Sequence, residues 1–272
     1  MKARQLEIVR HTAKQFKIYN MKIKRPDYIE SVSNFVDYIE RFKERNEQNG
    51  KNNELLFRGQ GIDRPLIPKI GRPNLKIKNN GIVKTEKLIL EEFRRGMLPL
   101  TEFKPENDWD LLALAQHHGL PTRLLDWSFS ALVALWFSVD KPSQKNENGM
   151  TENGVLWILN ADTDDFRIDT TETNPFGNSI TKIFRPAVIS RRISAQAGVF
   201  TVHKILEDNK MIKLENNKNY KSKLTKFLIR GNDFAKIRKQ LSMLGIDYST
   251  IFPDMDGLCK NLEWRFTKYT DE

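Results

Sequence analysis

The chain has 272 residues, 39% of them hydrophobic and 10% aromatic, so it is long enough to bury a substantial core and too apolar for a disordered segment. Cys259 is its only cysteine, which excludes an internal disulfide and points to a reducing, cytoplasmic setting. Forty-five lysines and arginines against 35 acids leave a net charge of +10, which favours acidic partners such as nucleotide phosphates or nucleic acid.

Residues 1–30 read as a basic lead-in without a signal-peptide apolar region, and 31–272 as one domain. After Ser31, the spacing of Val32, Phe35, Val36, Ile39 and Phe42 predicts a helix that decays into a polar loop at Asn46. Glu54 to Arg58 reads as a buried strand. Asp63 to Pro73, with three prolines and two arginines, reads as an ordered extended loop, and Thr85 starts a second helix. Asn107 or Asp108 can cap a helix over Trp109–His118, which Gly119 and Pro121 end. Thr122 to Asp126 is then extended, and Asp126 or Ser128 can cap an apolar central helix over Phe129–Val139. Its apolar run, Ala131 to Phe137, falls well short of the ~20 residues a membrane span needs. Strands follow at Val155–Leu159, Val199–His203 and Leu224–Arg230, then helices at Phe234–Leu244 and from Met255 to Phe266, the last burying Cys259. Helices and strands mix without a βαβ rhythm. The expected fold is a single large α+β domain, with a mixed or antiparallel sheet around a buried helix.

Three segments concentrate polar chemistry. Arg58 ends an apolar strand, where its planar fork suits a phosphate, a carboxylate or an internal acid such as Asp126, and Gly59 permits close approach by a ligand or a neighbour. Gln116, His117, His118, Thr122, Arg123, Asp126 and Ser128 lie between two apolar helices, so they must satisfy one another or line a cavity. The two histidines fit helix-end hydrogen bonding better than base catalysis. Arg192 and Gln196 precede the Val199 strand and could reach the same cavity; Gln60 follows Gly59. No metal-ligand spacing, Walker-type loop, dinucleotide-binding glycine turn or nucleophile elbow is present. The densest basic stretches are Lys218 to Lys226 and Lys236 to Lys239.

Together Phe57-Arg58-Gly59-Gln60, Arg64 to Pro68, Trp109 to Ser128, Arg192 to Phe200 and Leu244 to Asp254 resemble the FRG domain family over roughly residues 31–262. The resemblance implies a bacterial protein, often in a phage-defence or toxin context. A remoter similarity is to ADP-ribosyltransferases, which carry Tyr/Phe-Arg-Gly on one strand and Ser before an Ala-rich helix on another. That similarity implies a split sheet, NAD as substrate, Arg58 on its phosphates, Ser128 on the nicotinamide ribose, and Gln196 or Asp126 at the reacting carbon. Where that family places Glu-x-Glu, this chain has Gln196, which can hydrogen-bond but cannot supply charge. The alternatives are a non-catalytic sensing module for a nucleotide or a phage macromolecule, and a nucleic-acid-binding toxin.

Overall fold

A computed structural model describes residues 27–78, 81–101, 103–166, 173–177, 180–186 and 194–272. Most of the basic lead-in and Arg192 lie outside the described residues.

The strands are β1 (Asp27–Tyr28), β2 (Glu54–Gln60), β3 (Leu124–Ser128), β4 (Gly154–Ala161), β5 (Lys182–Phe184), β6 (Gly198–Val202) and β7 (Leu224–Ile229). They form one sheet in the order β1-β7-β4-β2-β3-β6-β5. Every pairing is antiparallel except that of the two-residue β1, which joins β7 in parallel. The described α-helices are α1 (Val32–Gln48), α2 (Ile82–Gly96), α3 (Asp108–His117), α4 (Ala131–Val139), α5 (Phe234–Met243), α6 (Tyr248–Ile251) and α7 (Met255–Phe266). The architecture is the expected single α+β domain.

The ladder is uneven. β2 meets β4 through seven register pairs and β3 meets β6 through five, but β2 and β3 share only Phe57 opposite Ser128. Beyond that pair the two half-sheets part. Period-2 alternation sends Leu55 and Phe57 of β2, and Leu156 and Ile158 of β4, into one cluster with α1, α4, α5 and α6. Leu124, Phe200 and Val202, on the second half-sheet, pack instead against α2 and α3. Leu56, Leu125, Trp127, Trp157 and Val199 form a third cluster that draws on both half-sheets. Two groups of helices thus flank the parting between β2 and β3.

Local chemistry explains most boundaries. Ser31 caps α1, its hydroxyl accepting from the Asn34 amide at 3.1 Å. Asn107 caps α3, with Asp108 and Asp110 in the first turn where the helix dipole favours acids. Gly119, at φ +79°, lets the chain leave α3 in a left-handed turn. Three local expectations need correction. Asn46 belongs to the last turn of α1, buried by a reciprocal amide pair with Asn160 at 2.9 and 3.0 Å. α4 is capped by Ser130, because Asp126 and Ser128 are both in the β3 ladder facing β6. Cys259 is exposed, because α7 packs through Gly257 and Asn261.

At β2, Gly59 is a contact requirement. A Cβ there would stand 1.8 Å from the Ala134 carbonyl oxygen and 2.5 Å from Ser138 Oγ. The α4 backbone therefore lies directly on the strand, and Gly59 serves the neighbouring helix. Gly59→Ala must push α4 off the sheet, and overpacking of this kind costs about 3 kcal/mol. Urea denaturation should show that loss, whereas Gly61→Ala, with open space around it, should show little.

Candidate functional site

A cleft of about 400 Å³ opens where β2 and β3 part. Arg58 is at its centre, with its side chain 14% exposed. One terminal nitrogen, Nη1, donates to the Asp126 carbonyl at 2.7 Å and lies 3.6 Å from Asp126 Oδ2. The guanidinium thus occupies an acceptor on β3 just where direct pairing with β2 stops. Its buried Nε has no protein partner. Burial pulls the Arg58 pKa below the usual guanidinium range, although Asp126 opposes the shift.

Asp126 is held from the other side. The Gln116 amide donates to both carboxylate oxygens at 3.0 and 3.1 Å, and the Thr122 hydroxyl donates to Gln116 Oε1 at 2.6 Å. Thr122 is buried and orients Gln116, which in turn orients Asp126. The carboxylate itself is 56% exposed and available to a ligand.

Two further cations come from the proline-rich loop. Lys69 Nζ donates to the Gly119 carbonyl at 2.7 Å, and Arg72 Nε to the Ile67 carbonyl at 3.3 Å, and both line the cleft. Burial and the neighbouring Arg64 charge lower the Arg72 pKa. The lysine, arginine and acidic side chains of the lining are Arg58, Lys69 and Arg72 against Asp126. Phe57, Trp127 and Phe200 also border the cleft, but each is nearly fully buried in a core cluster, which leaves Phe137 as the partly exposed ring of the lining. The guanidinium and ammonium groups suit an anionic group such as a phosphate or a carboxylate.

Ser128 and Gln196 also reach the cleft. The Ser128 hydroxyl donates to the Gln196 carbonyl at 2.6 Å and accepts from the Ser130 amide at 2.9 Å. Gln196 Nε2 donates to the Ile251 carbonyl at 3.3 Å. Between Gln196 and Gly198, Ala197 adopts φ +45°, a left-handed conformation that costs a non-glycine residue energy.

Residues 53–147 match the family model of the FRG domain. Those residues form an FRG domain. Neither a curated protein nor a solved structure matches the chain. The matched stretch runs from the start of β2 past α4, so it includes both walls of the parting. Within the FRG match fall Arg58, Lys69, Arg72, Gln116, His117, Asp126 and Ser128; Gln196 lies beyond it.

Of the residues singled out from sequence, the structure thus brings Arg58, Gln116, His117, Asp126, Ser128 and Gln196 to one cleft. Others turn elsewhere. Arg123 is 1% exposed and engaged with Glu86, its Nε and Nη2 at 2.7 and 2.6 Å from Oε2, while Nη1 donates to the Pro175 carbonyl at 2.9 Å. His118 is exposed beside the rings of Phe93 and His117. Gln60 and Thr122 are outside the lining. Each basic stretch is engaged in part. Lys223 is paired with Asp162 and Asp165, Lys226 with Asp63, and Lys236 donates to the Glu30 carbonyl. Among the described residues, no helix is long and apolar enough to cross a membrane, and no group of three His, Cys, Asp or Glu is placed to hold a metal ion.

Lys69 and Arg72 are the cleft residues that sequence reasoning missed. Their signal was the prolines around them, since an ordered loop holds its cations in place. His203 was missed too. It is 1% exposed, 3.1 Å from Thr201 Oγ1, which accepts from Trp127 Nε1 at 3.1 Å. Burial and the nearby Arg58 charge depress its pKa to about 3, against a hydrogen bond with the Ile212 backbone that favours the charged form.

Two stability measurements follow. Glu86→Gln leaves Arg123 buried without its counter-charge and should destabilise by about 3–5 kcal/mol in urea titrations, as broken buried pairs do. His203 is neutral in the fold, and the unfolded chain binds the extra proton between its ordinary pKa and about 3. Its contribution is complete above the unfolded pKa and declines as pH falls through that window, by up to about 1.4 kcal/mol per pH unit. Denaturation at a series of pH values should show this slope in the wild type and a shallower one in His203→Gln.

Proposed function

We propose that the FRG-domain cleft binds a nucleotide through its phosphates and that the protein is an NAD-handling, ADP-ribosyltransferase-like effector acting in a phage-defence or toxin context. One observation carries the reading: Arg58, Lys69 and Arg72 come from a strand and a separate loop to line one cleft with a single exposed carboxylate, Asp126. The three cations suit a diphosphate. Their side chains are already held by backbone carbonyls, which lowers the ordering cost of binding. The Gln116–Thr122 relay orients Asp126 toward the cleft. A carboxylate there is the chemistry needed to stabilise positive charge developing on a ribose carbon as an N-glycosidic bond breaks. Asp126 therefore takes the part that the sequence resemblance left between itself and Gln196.

A second reading, a sensing module that binds the nucleotide without chemistry, is favoured by a specific observation. The Ser128 hydroxyl and the Gln196 amide are both spent on backbone carbonyls.

Calorimetry with NAD and assay of nicotinamide release test both readings. Arg58→Ala and Arg72→Ala should each weaken binding by about 1.5–3 kcal/mol, the worth of a hydrogen bond to a charged group. Asp126→Asn should abolish nicotinamide release while binding persists. Binding by the wild type without any release selects the sensing module, and indistinguishable binding by wild type and Arg58→Ala eliminates both.

A further inference from the structure

α7 is built inside out. Its buried positions are Gly257 and Asn261, whereas Met255, Leu258, Leu262 and Phe266 are 71%, 44%, 42% and 79% exposed. The inward contacts are specific. A Cβ at Gly257 would lie 1.9 Å from the Phe252 carbonyl oxygen, so the helix is pressed onto that turn. Asn261 Nδ2 donates to Asp247 Oδ2 and Ser249 Oγ, each at 3.2 Å, and Trp264 Nε1 to Glu272 Oε1 at 3.0 Å. These contacts fix the rotation of α7 and leave its apolar residues facing outward. The outward residues are spaced three, four and four apart, the seam of a helix that packs against another helix. A stripe about 18 Å long, on a helix of 12 residues, is larger than scattered exposed side chains require.

We propose that this stripe pairs with the same stripe of a second copy, the two α7 helices lying antiparallel across a two-fold axis. Charge decides the occupant and the direction. Asp254 and Asp256 are at the N-terminal end, and Arg265 and Lys268 at the C-terminal end. Antiparallel pairing brings each acidic end against the partner's basic end, whereas parallel pairing stacks like charges. The helix itself carries Asp256 and Glu263 against Lys260 and Arg265, so it is neutral on a molecule of net charge +10. Two copies meeting here avoid much of the repulsion they would meet elsewhere. One helix from each copy is less than a standard interface, so the dimer should depend on concentration in the micromolar range. This pairing is independent of what the cleft binds.

Cys259 sits beside the stripe close to the two-fold axis, and as the chain's only cysteine it reports the pairing. Light scattering across a concentration series should show the full chain moving from monomer to dimer, and a short bis-maleimide should link Cys259 to Cys259 by adding one thiol to each end. Leu262→Glu should weaken dimerisation by about tenfold or more, the effect expected of a charge buried in an apolar seam. Met150→Glu, at another exposed apolar residue, should leave it unchanged. A monomer at every concentration, or a dimer indifferent to Leu262→Glu, overturns the proposal.

Discussion

Where the ladder between β2 and β3 stops, after the single pair of Phe57 and Ser128, the Arg58 guanidinium bonds to the Asp126 carbonyl. Much of the molecule follows from that substitution of a side chain for a backbone hydrogen bond. A carbonyl that loses its ladder partner takes another donor where one is in reach. Arg58 supplies it here, and a cleft opens between two half-sheets that are each packed by their own helices. A buried arginine is also costly unless paired, and Asp126 supplies both the carbonyl and a nearby carboxylate. The same interaction is therefore structural and part of the site.

The cleft is assembled from unequal materials. Its floor and walls are β2, β3 and β6 with side chains of α3 and α4. Its extra charge comes from the loop after β2, where Lys69 and Arg72 are held by the carbonyls of Gly119 and Ile67. Burial disfavours the charged state of both Arg58 and Arg72, and Asp126 opposes the shift at each. Behind the wall, Trp127, Thr201 and the neutral His203 form a buried polar chain that adds no further positive charge beside Arg58.

Buried polar groups do two separate jobs here. The Arg123–Glu86 pair and the Asn46–Asn160 amides anchor helices to the sheet and face away from the cleft. Gln116, Thr122 and Asp126 come from the same stretch of chain as Arg123 but combine into an oriented carboxylate. Neighbours in sequence diverge because successive residues around a turn and along a strand point to opposite sides.

The sequence by itself determined the α+β class, most of the helix and strand positions, the cap at Asn107, and the concentration of polar groups in the Arg58 and Gln116–Ser128 segments. These rest on local rules: apolar periodicity, capping chemistry and the cost of polar groups in a core act over a few residues and can be read in order. Only the tertiary structure decided that the sheet parts at Phe57 and Ser128, that Arg58 both pairs with Asp126 and lines the cleft, and that Arg123 closes on Glu86. It alone placed Lys69 and Arg72 at the site, made Gly59 a seat for α4, and turned the apolar face of α7 with Cys259 outward. Each of these is set by contacts between residues far apart in the chain, and no local pattern encodes which distant group will satisfy a charge or meet a face.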